Sequence, residues 1–515
     1  MTLRCRVWCA VVFPLGLAAA AWAESAPRAA TDADIFFVAP DGSDASPGTR
    51  EQPWATLQHA ARTLVAGQTV TVRGGLYRIA EQIRPAHSGR AGAWITYRAA
   101  AGERPVIDAA DIPVDRLSGG PISPWDQGAF QIEGVSYVRV HGLRIQNSHA
   151  AGFTVRDASH VELINNTTEN TFSSGIAVWD TNHDGLDCEY HRILGNTIIH
   201  ATTFAMALPP HRGFSEPPHE AISIAGSQHF EVAWNHIYSS DKEGIDVKET
   251  SKHGRVHHNY IHDIDRQGLY VDAWFGRIED VELDHNVATR CRGAGLVFSV
   301  ENGETVENVR AHHNLLVDNL GSGIFFSRWG DGPRRHLSVY NNTVVHNGYG
   351  PPEPGQMFFW LTGGVFFYST NIEDVDLRDN LVSDNRGFQI GYSQHYRDLG
   401  DPEPAMAARR IVLDYNLSDD RNDLTYPISF GPDAKDTTSV WALTGGHAVL
   451  GRALFANASA MDFRPAATSP AVDAGDPRPE YNDADGSRGD LGAFAAGAAA
   501  DLWWTHDFPP RLDLD

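Results

Sequence analysis

One motif returns along most of the chain: a short apolar alternation ending in Asn, followed at a fixed distance by a Gly that opens an aliphatic-x-aliphatic step. The Asn stands at 166, 196, 235, 259, 286, 314, 342, 380 and 416, at intervals of 30, 39, 24, 27, 28, 28, 38 and 36 residues. Asn166, Asn235, Asn259, Asn286 and Asn314 are each followed nine residues later by Gly175, Gly244, Gly268, Gly295 and Gly323. The steps that follow read Gly-Ile-Ala-Val, Gly-Ile-Asp-Val, Gly-Leu-Tyr-Val, Gly-Leu-Val-Phe and Gly-Ile-Phe-Phe. Five matches at a single offset mark an internal repeat, and a repeat constrains architecture before any other feature does.

Each unit holds two or three strands of about five residues with period-2 apolarity, too short for the amphipathic helix of leucine-rich or ankyrin units. Stacked along an axis, such units bring each strand beside its copy one turn later at the ~4.8 Å sheet spacing, with aliphatic residues inside and Asn side chains laddered at the turns. The reading is an all-β parallel β-helix, a solenoid with loop insertions where the intervals lengthen. A propeller would need about four antiparallel strands in every 40–50 residues, which these intervals do not supply. At 515 residues and 42% hydrophobic, the chain buries a large core.

Residues 1–23 read as a secretory signal. Arg4 and Arg6 precede an apolar run through Val12, Leu15 and Leu17, and Ala21-Trp22-Ala23 has the small-x-small form of a cleavage site. A membrane anchor would want roughly 18 clean apolar residues, and this run is shorter and broken by Pro14. Residues 24–35 follow as a linker, and the mature protein is expected to be secreted or periplasmic, without a membrane span. Cleavage removes Cys5 and Cys9 and leaves Cys188 and Cys291, so packing holds the fold and neither disulfides nor a thiolate zinc site is expected. It also moves the formal charge from −24 to −26, because two Arg leave, and that balance argues against a nucleic-acid backbone as the main partner.

The solenoid is expected over 36–495, capped at both ends, with 496–515 as a tail. The amino cap runs from Phe36-Phe37-Val38-Ala39-Pro40-Asp41-Gly42 through Pro53-Trp54-Ala55-Thr56-Leu57 and a short capping helix over 55–65 to Gln68-Thr69-Val70-Thr71-Val72-Arg73-Gly74-Gly75. The carboxyl cap contains Ser469-Pro470-Ala471-Val472-Asp473-Ala474-Gly475-Asp476 and Gly489-Asp490-Leu491-Gly492-Ala493-Phe494. With the Asn/Gly rungs between them, these segments resemble the secreted bacterial right-handed parallel β-helix proteins, a group that includes polysaccharide lyases of the chondroitinase B and alginate lyase kind, some glycoside hydrolases and epimerases. The resemblance implies a right-handed solenoid acting on carbohydrate. The paired-Asp and Gly-His-Gly signatures of polygalacturonases and the Asp-Pro-His-Asp of mannuronan epimerases do not occur.

In a regular solenoid, residues at one offset from the rung Gly form a column. In Gly-Ile-x-Val-y the aliphatics face inward, so x and y are expected to face outward. The x column reads Ala177, Ser223, Asp246, Tyr270, Val297 and Phe325; the y column reads Trp179, Ala225, Lys248, Asp272, Ser299 and Ser327. The residue before the Gly gives Ser174, Glu220, Glu243, Gln267, Ala294 and Ser322. Charged groups therefore gather on three consecutive rungs: His219-Glu220 with Ser223, then Glu243, Asp246, Lys248 and Glu249, then Arg266, Gln267, Tyr270 and Asp272. Trp274 and Trp329, each six residues after a rung Gly, are expected on one edge two rungs apart. Together with Trp179 and His219 they would contact sugar rings. Pro-rich stretches within 201–219 and 347–361 could wall a groove. His257-His258 and His312-His313 precede the ladder Asn at a turn with diverging rings, which argues against metal binding there; His219 and His229, nearer the acidic rungs, are the better helpers.

Two chemistries suit this island. In β-elimination on a uronate-containing polysaccharide, the uronate carboxylate is neutralised, the C5 proton is removed and the leaving oxygen is protonated. Glu220, Glu243 and Asp246 would hold Ca²⁺ through hard oxygens, Lys248 would be the base, and Arg266 with Tyr270 would stabilise or protonate. The chondroitinase B and alginate lyase resemblance implies a similar set of acidic Ca²⁺ ligands, a Lys and an Arg. One difficulty is intrinsic: a Lys among carboxylates is held protonated. The alternative is glycoside hydrolysis by paired carboxylates, Asp246 with Asp272 or Glu220 with Asp272, with Lys248 bridging to Asp272. A non-catalytic polysaccharide-binding protein would use the same groove. In each case a monomer acting on a polysaccharide or oligosaccharide is expected.

Overall fold

A computed structural model describes residues 34–113, 126–208, 216–349, 362–393, 395, 399–400, 402–419, 428–429, 437–438, 440–442, 445–497, 502–505 and 508–512. The expected signal segment and the Pro-rich stretches 209–212 and 351–360 lie outside the described residues.

Each coil contributes one strand to each of three faces, as Val138–His141, Arg144–Ser148 and Ala151–Arg156 do. Among the described residues the three sheets hold 14, 13 and 11 strands. Pairing is parallel along the solenoid, and an antiparallel contact of Ile390–Ser393 with Val440–Ala442 ends the third sheet. Single residues in the left-handed backbone region turn the corners: Asn165, Trp234, His258, His285 and His313 have φ between 52° and 59°. Asn and His tolerate that region better than most side chains, which is why the His-His pairs stand immediately before the ladder Asn.

The Asn ladder forms as expected. Asn259 shows the unit: its Nδ2 donates to the Val232 carbonyl one coil back (2.9 Å) and to Asn286 Oδ1 one coil on (2.9 Å). Its backbone N–H donates to the same Oδ1 (3.1 Å). Equivalent bonds run from Asn166 to Asn416. All nine side chains are buried, so each satisfies backbone groups that would otherwise be stranded at a corner. A second ladder, Asn319, Asn347 and Asn385, ends on Gln389 and was not anticipated.

Inside the third sheet Ile176, Ile222, Ile245, Leu269, Leu296 and Ile324 lie in register and fully buried, one above another. The rung Gly residues precede these strands where a side chain would collide: a Cβ on Gly244 would stand 2.5 Å from the Gly268 carbonyl oxygen. Helix Leu57–Thr63, capped by the Thr56 side chain on the His59 N–H (3.1 Å), lies within the expected 55–65. Cys188 and Cys291 are buried free thiols. The described part of the tail docks on the solenoid, with Trp503 against Trp234 and His258 and the Leu512 N–H donating to Asn165. No helix among the described residues is long and apolar enough to cross a membrane.

Candidate functional site

The columns counted along the sequence are real spatial columns. Ser223, Asp246, Tyr270, Val297 and Phe325 are register partners in the third sheet, as are Ala225, Lys248, Asp272 and Ser299. Their exposure differs from expectation: Asp246, Tyr270 and Asp272 are 1%, 5% and 3% exposed, and Glu220 and Glu243 are likewise buried. The face is therefore a covered cluster and not a solvated ladder. Beside it, along the same column, the apolar stack of Val297, Phe325 and Phe366 packs with Phe388 and Tyr270, and Trp329 is set edge-on to Tyr270 (6.1 Å).

Lys248 is the hub. Its Nζ lies 2.9 Å from Glu220 Oε1 and 3.4 Å from Asp246 Oδ2, and Glu220 Oε2 accepts from the Ser223 hydroxyl (2.5 Å). Lys248 thus bridges to Glu220 and Asp246, and not to Asp272 as the hydrolytic expectation had it. Burial alone would lower its basicity, but Glu220, Asp246 and Glu249 outweigh that and hold the ammonium charged, so Lys248 is not a neutral-pH base. Burial also pushes up the carboxyl of Glu220, yet Lys248, Lys242, His219 and Ser223 overcome it and bring the group down to about 2. Elsewhere burial wins: Asp246 and Asp272 are driven well above the ordinary carboxylate range, Glu249 to about 7, and Glu301 upward. Both Asp246 oxygens, Asp272 Oδ1, Glu249 Oε2 and Glu243 Oε2 are buried without a hydrogen-bond partner. Burial and mutual repulsion, with little positive charge nearby, favour the protonated forms of these carboxyls.

Arg266 pairs with Glu243 (3.3 Å) and with Glu216. The Tyr270 hydroxyl donates to Glu301 Oε1 (2.6 Å). His219 Nε2 meets Asp126 Oδ1 (2.5 Å) and stands edge-on to Trp179 (4.7 Å). His229 is no helper: it stacks between Tyr190 and His253 at a corner, with Glu189 as its acidic neighbour. The two Trp do not share a phase. A register shift between Phe298 and Val300 pairs Val300 with Gly330, which turns Trp329 onto Tyr270 and Phe325 while Trp274 stays 41% exposed.

The three expected Ca²⁺ ligands are engaged by side-chain cations: Glu220 and Asp246 meet Lys248, and Glu243 meets Arg266. They are not among the groups of three, within the described residues, whose donor atoms lie within 4.8 Å of one another, as the ligands of one hard ion would. The donor groups that do converge among the described residues are His258, Asp284 and His285, and Glu282, Asp284 and His312, on the first sheet. There Arg255 grips both oxygens of Asp284 (2.7 Å each). His258 and His285 stack at 4.9 Å and 4°, and parallel rings in separate planes cannot both aim in-plane lone pairs at one ion.

Sequence counting missed Arg156, which extends the y column upstream as the partner of Trp179; the step Gly152-Phe-Thr-Val-Arg156 carried that signal. It also missed Glu301, behind the register shift, and Asp126 and Glu216, which reach the cluster from outside the repeat.

Fold and site define a right-handed parallel β-helix protein. Residues 36–213 match the family model described as Pel9A-like, right handed beta helix region, and residues 220–398 match the model described as right handed beta helix region. A pectate lyase, PEL9 of Emericella nidulans, is 32% identical over 139 residues, which is 27% of this chain and 34% of that protein. The uncharacterized protein YwoF of Bacillus subtilis is 40% identical over 79 residues, 15% of this chain and 16% of that one. The chain thus spans about a third or less of the length of these curated relatives. Among solved structures, pectate lyase Pel9A is similar at 15% identity over 90% of this chain and 96% of its own, with a TM-score of 0.48. A GH136 lacto-N-biosidase from Eubacterium ramulus is similar at 14% identity over 66% of this chain and 65% of its own, with a TM-score of 0.36.

Proposed function

We propose that this protein is an exported, carbohydrate-active enzyme of the periplasm or medium that cleaves a uronate-containing polysaccharide by β-elimination at the Lys248 cluster. The observation that carries the reading is a charged Lys248 on a buried sheet face, register-paired with an Asp272 whose carboxyl is driven up in pKa. The Pel9A-like match and the local relationship to a pectate lyase support lyase chemistry.

Lys248 and Arg266 neutralise the uronate carboxylate and so stabilise the negative charge that develops beside C5. Asp272, a stronger base when ionised than an ordinary carboxylate, takes the C5 proton. The C–H electron pair becomes the C4–C5 double bond, the C4–O bond breaks, and the departing oxygen takes a proton from Tyr270. Trp274 and Trp179 meet the polymer at the rim.

Hydrolysis is the second reading. It is favoured by one observation: the carboxyls of Glu220 and Asp272 are pushed in opposite directions, the split that separates an ionised nucleophile or base from a protonated acid. Purified mature protein given uronate polymers should produce an ultraviolet-absorbing unsaturated end with each new reducing end, and Asp272→Asn should abolish both. New reducing ends without absorbance would replace elimination by hydrolysis. Polymer binding without turnover would leave a binding protein.

A further inference from the structure

Two of the three expected Ca²⁺ ligands, Glu220 and Asp246, meet at one side chain, Lys248. We propose that Lys248 is the resident cation of this site, its ammonium standing between Glu220 and Asp246 where a hard divalent ion would sit, so that the cluster works without a metal.

Three observations carry this. First, Nζ reaches one oxygen of each carboxylate, at 2.9 and 3.4 Å, and the second oxygen of Glu220 is taken by Ser223. An ammonium is a compact point charge with three donors, the nearest thing in a protein to a tethered metal ion. Second, the two carboxylates are 5% and 1% exposed, and neither Asp246 oxygen accepts a hydrogen bond: Lys248 stands at ion-pair distance from Oδ2 without hydrogen-bond geometry. Such a pocket calls for positive charge, and among the described residues Lys248 is the cation in contact with both. Third, Glu243 is engaged by Arg266 instead, so the chain divides among two side-chain cations the acids that one divalent ion would gather. A second cation entering beside Lys248 would meet like charge at a few ångströms in a buried setting, where repulsion is weakly screened.

The inference rests on the third-sheet cluster being the reactive site, but its test reads metal binding and not turnover. Calorimetric titration of the mature protein with CaCl₂ should show no binding that Asp246→Asn removes, and turnover should be unchanged in excess chelator. Lys248→Ala removes the charge and leaves its space, so it should create a Ca²⁺ site with a gain of at least about 100-fold in affinity. Lys248→Met fills the space without charge and should create a weaker site or none. Wild-type Ca²⁺ binding lost in Asp246→Asn would overturn the proposal, as would a folded Lys248→Ala that binds no Ca²⁺. Should Lys248→Ala not fold, the wild-type titration alone decides. Failure of elimination chemistry with these binding results intact would sink the proposed reaction and leave the resident cation standing.

Discussion

Glu249 gives the most direct measure of how strongly the cluster is overcharged. It follows Lys248 with φ 62°, is buried, accepts from the Phe275 backbone N–H and leaves Oε2 without a partner. Burial lifts its carboxyl from 4.5 to about 7; Lys248 pulls it down and Glu220 pushes it up. A raised carboxyl binds its proton more tightly in the folded chain than in the unfolded one. Its destabilising effect is therefore absent well below pH 4.5, grows as pH rises through that value, and is complete above about 7. Integrated over that window, ionising Glu249 costs the folded state about 1 kcal/mol at pH 5 and about 3 kcal/mol at pH 8. Glu249→Gln keeps an acceptor for Phe275 and removes the charge, so it should stabilise the protein, and more so by about 2 kcal/mol at pH 8 than at pH 5. Guanidinium unfolding followed by tryptophan fluorescence at the two pH values measures this. An equal effect at both, or a greater loss at pH 8, would mean that Glu249 is fully compensated and that the overcharged cluster is a misreading.

Two further outcomes test the scaffold and the rim. Asn286→Ala strips the Asn259 N–H and Nδ2 of their shared acceptor and the Val256 carbonyl of a donor, all in a buried corner. It should cost roughly 2–5 kcal/mol, read as a lowered midpoint in the same unfolding experiment, and a loss within error would show that water replaces the ladder. Trp274→Ala should raise KM about fivefold with kcat little changed, the value of one aromatic contact at about 1 kcal/mol; a fall in kcat alone would move Trp274 out of substrate binding.

What could be read in advance was whatever depends on equal steps. Asn259, Gly268 and Asp246 each recur in one phase, and translation by one coil turns phase into contact, so the ladder, the inner aliphatic stack and the columns through Lys248 and Asp272 were legible. Trp329 and Glu301 were misplaced or missed because a two-residue difference between Val300 and Gly330 resets the count. Asp126 and Glu216 come from segments with no repeat, and no local pattern ties them to His219 or Arg266. Burial was not legible either: period-2 alternation says which face a residue occupies, and says nothing of what lies over that face.

That distinction separates two sets of charges that look alike in the sequence. On the first sheet acids and bases alternate coil by coil: Glu162 with Arg139 and Arg192, Glu231 with Arg192 and His257, Glu282 with Arg310 and His312, Asp284 with Arg255. Despite burial, His257 and Arg192 hold Glu231 at about 2, and His312 first, then Arg310, does the same for Glu282; these ions are matched, and their work is to stitch coils together. On the third sheet Asp246, Glu249, Asp272 and Glu301 move the other way, because burial raises them and Lys248, shared among several acids, does not offset it. Since each coil of a solenoid is stabilised mainly by its two neighbours, the matched first sheet and the Asn ladder on the same coils can carry an unfavourable cluster on the third without unfolding the rest. Charge held against its own preference, on a scaffold stitched firmly beside it, is what a reacting site requires and what a structural salt bridge does not.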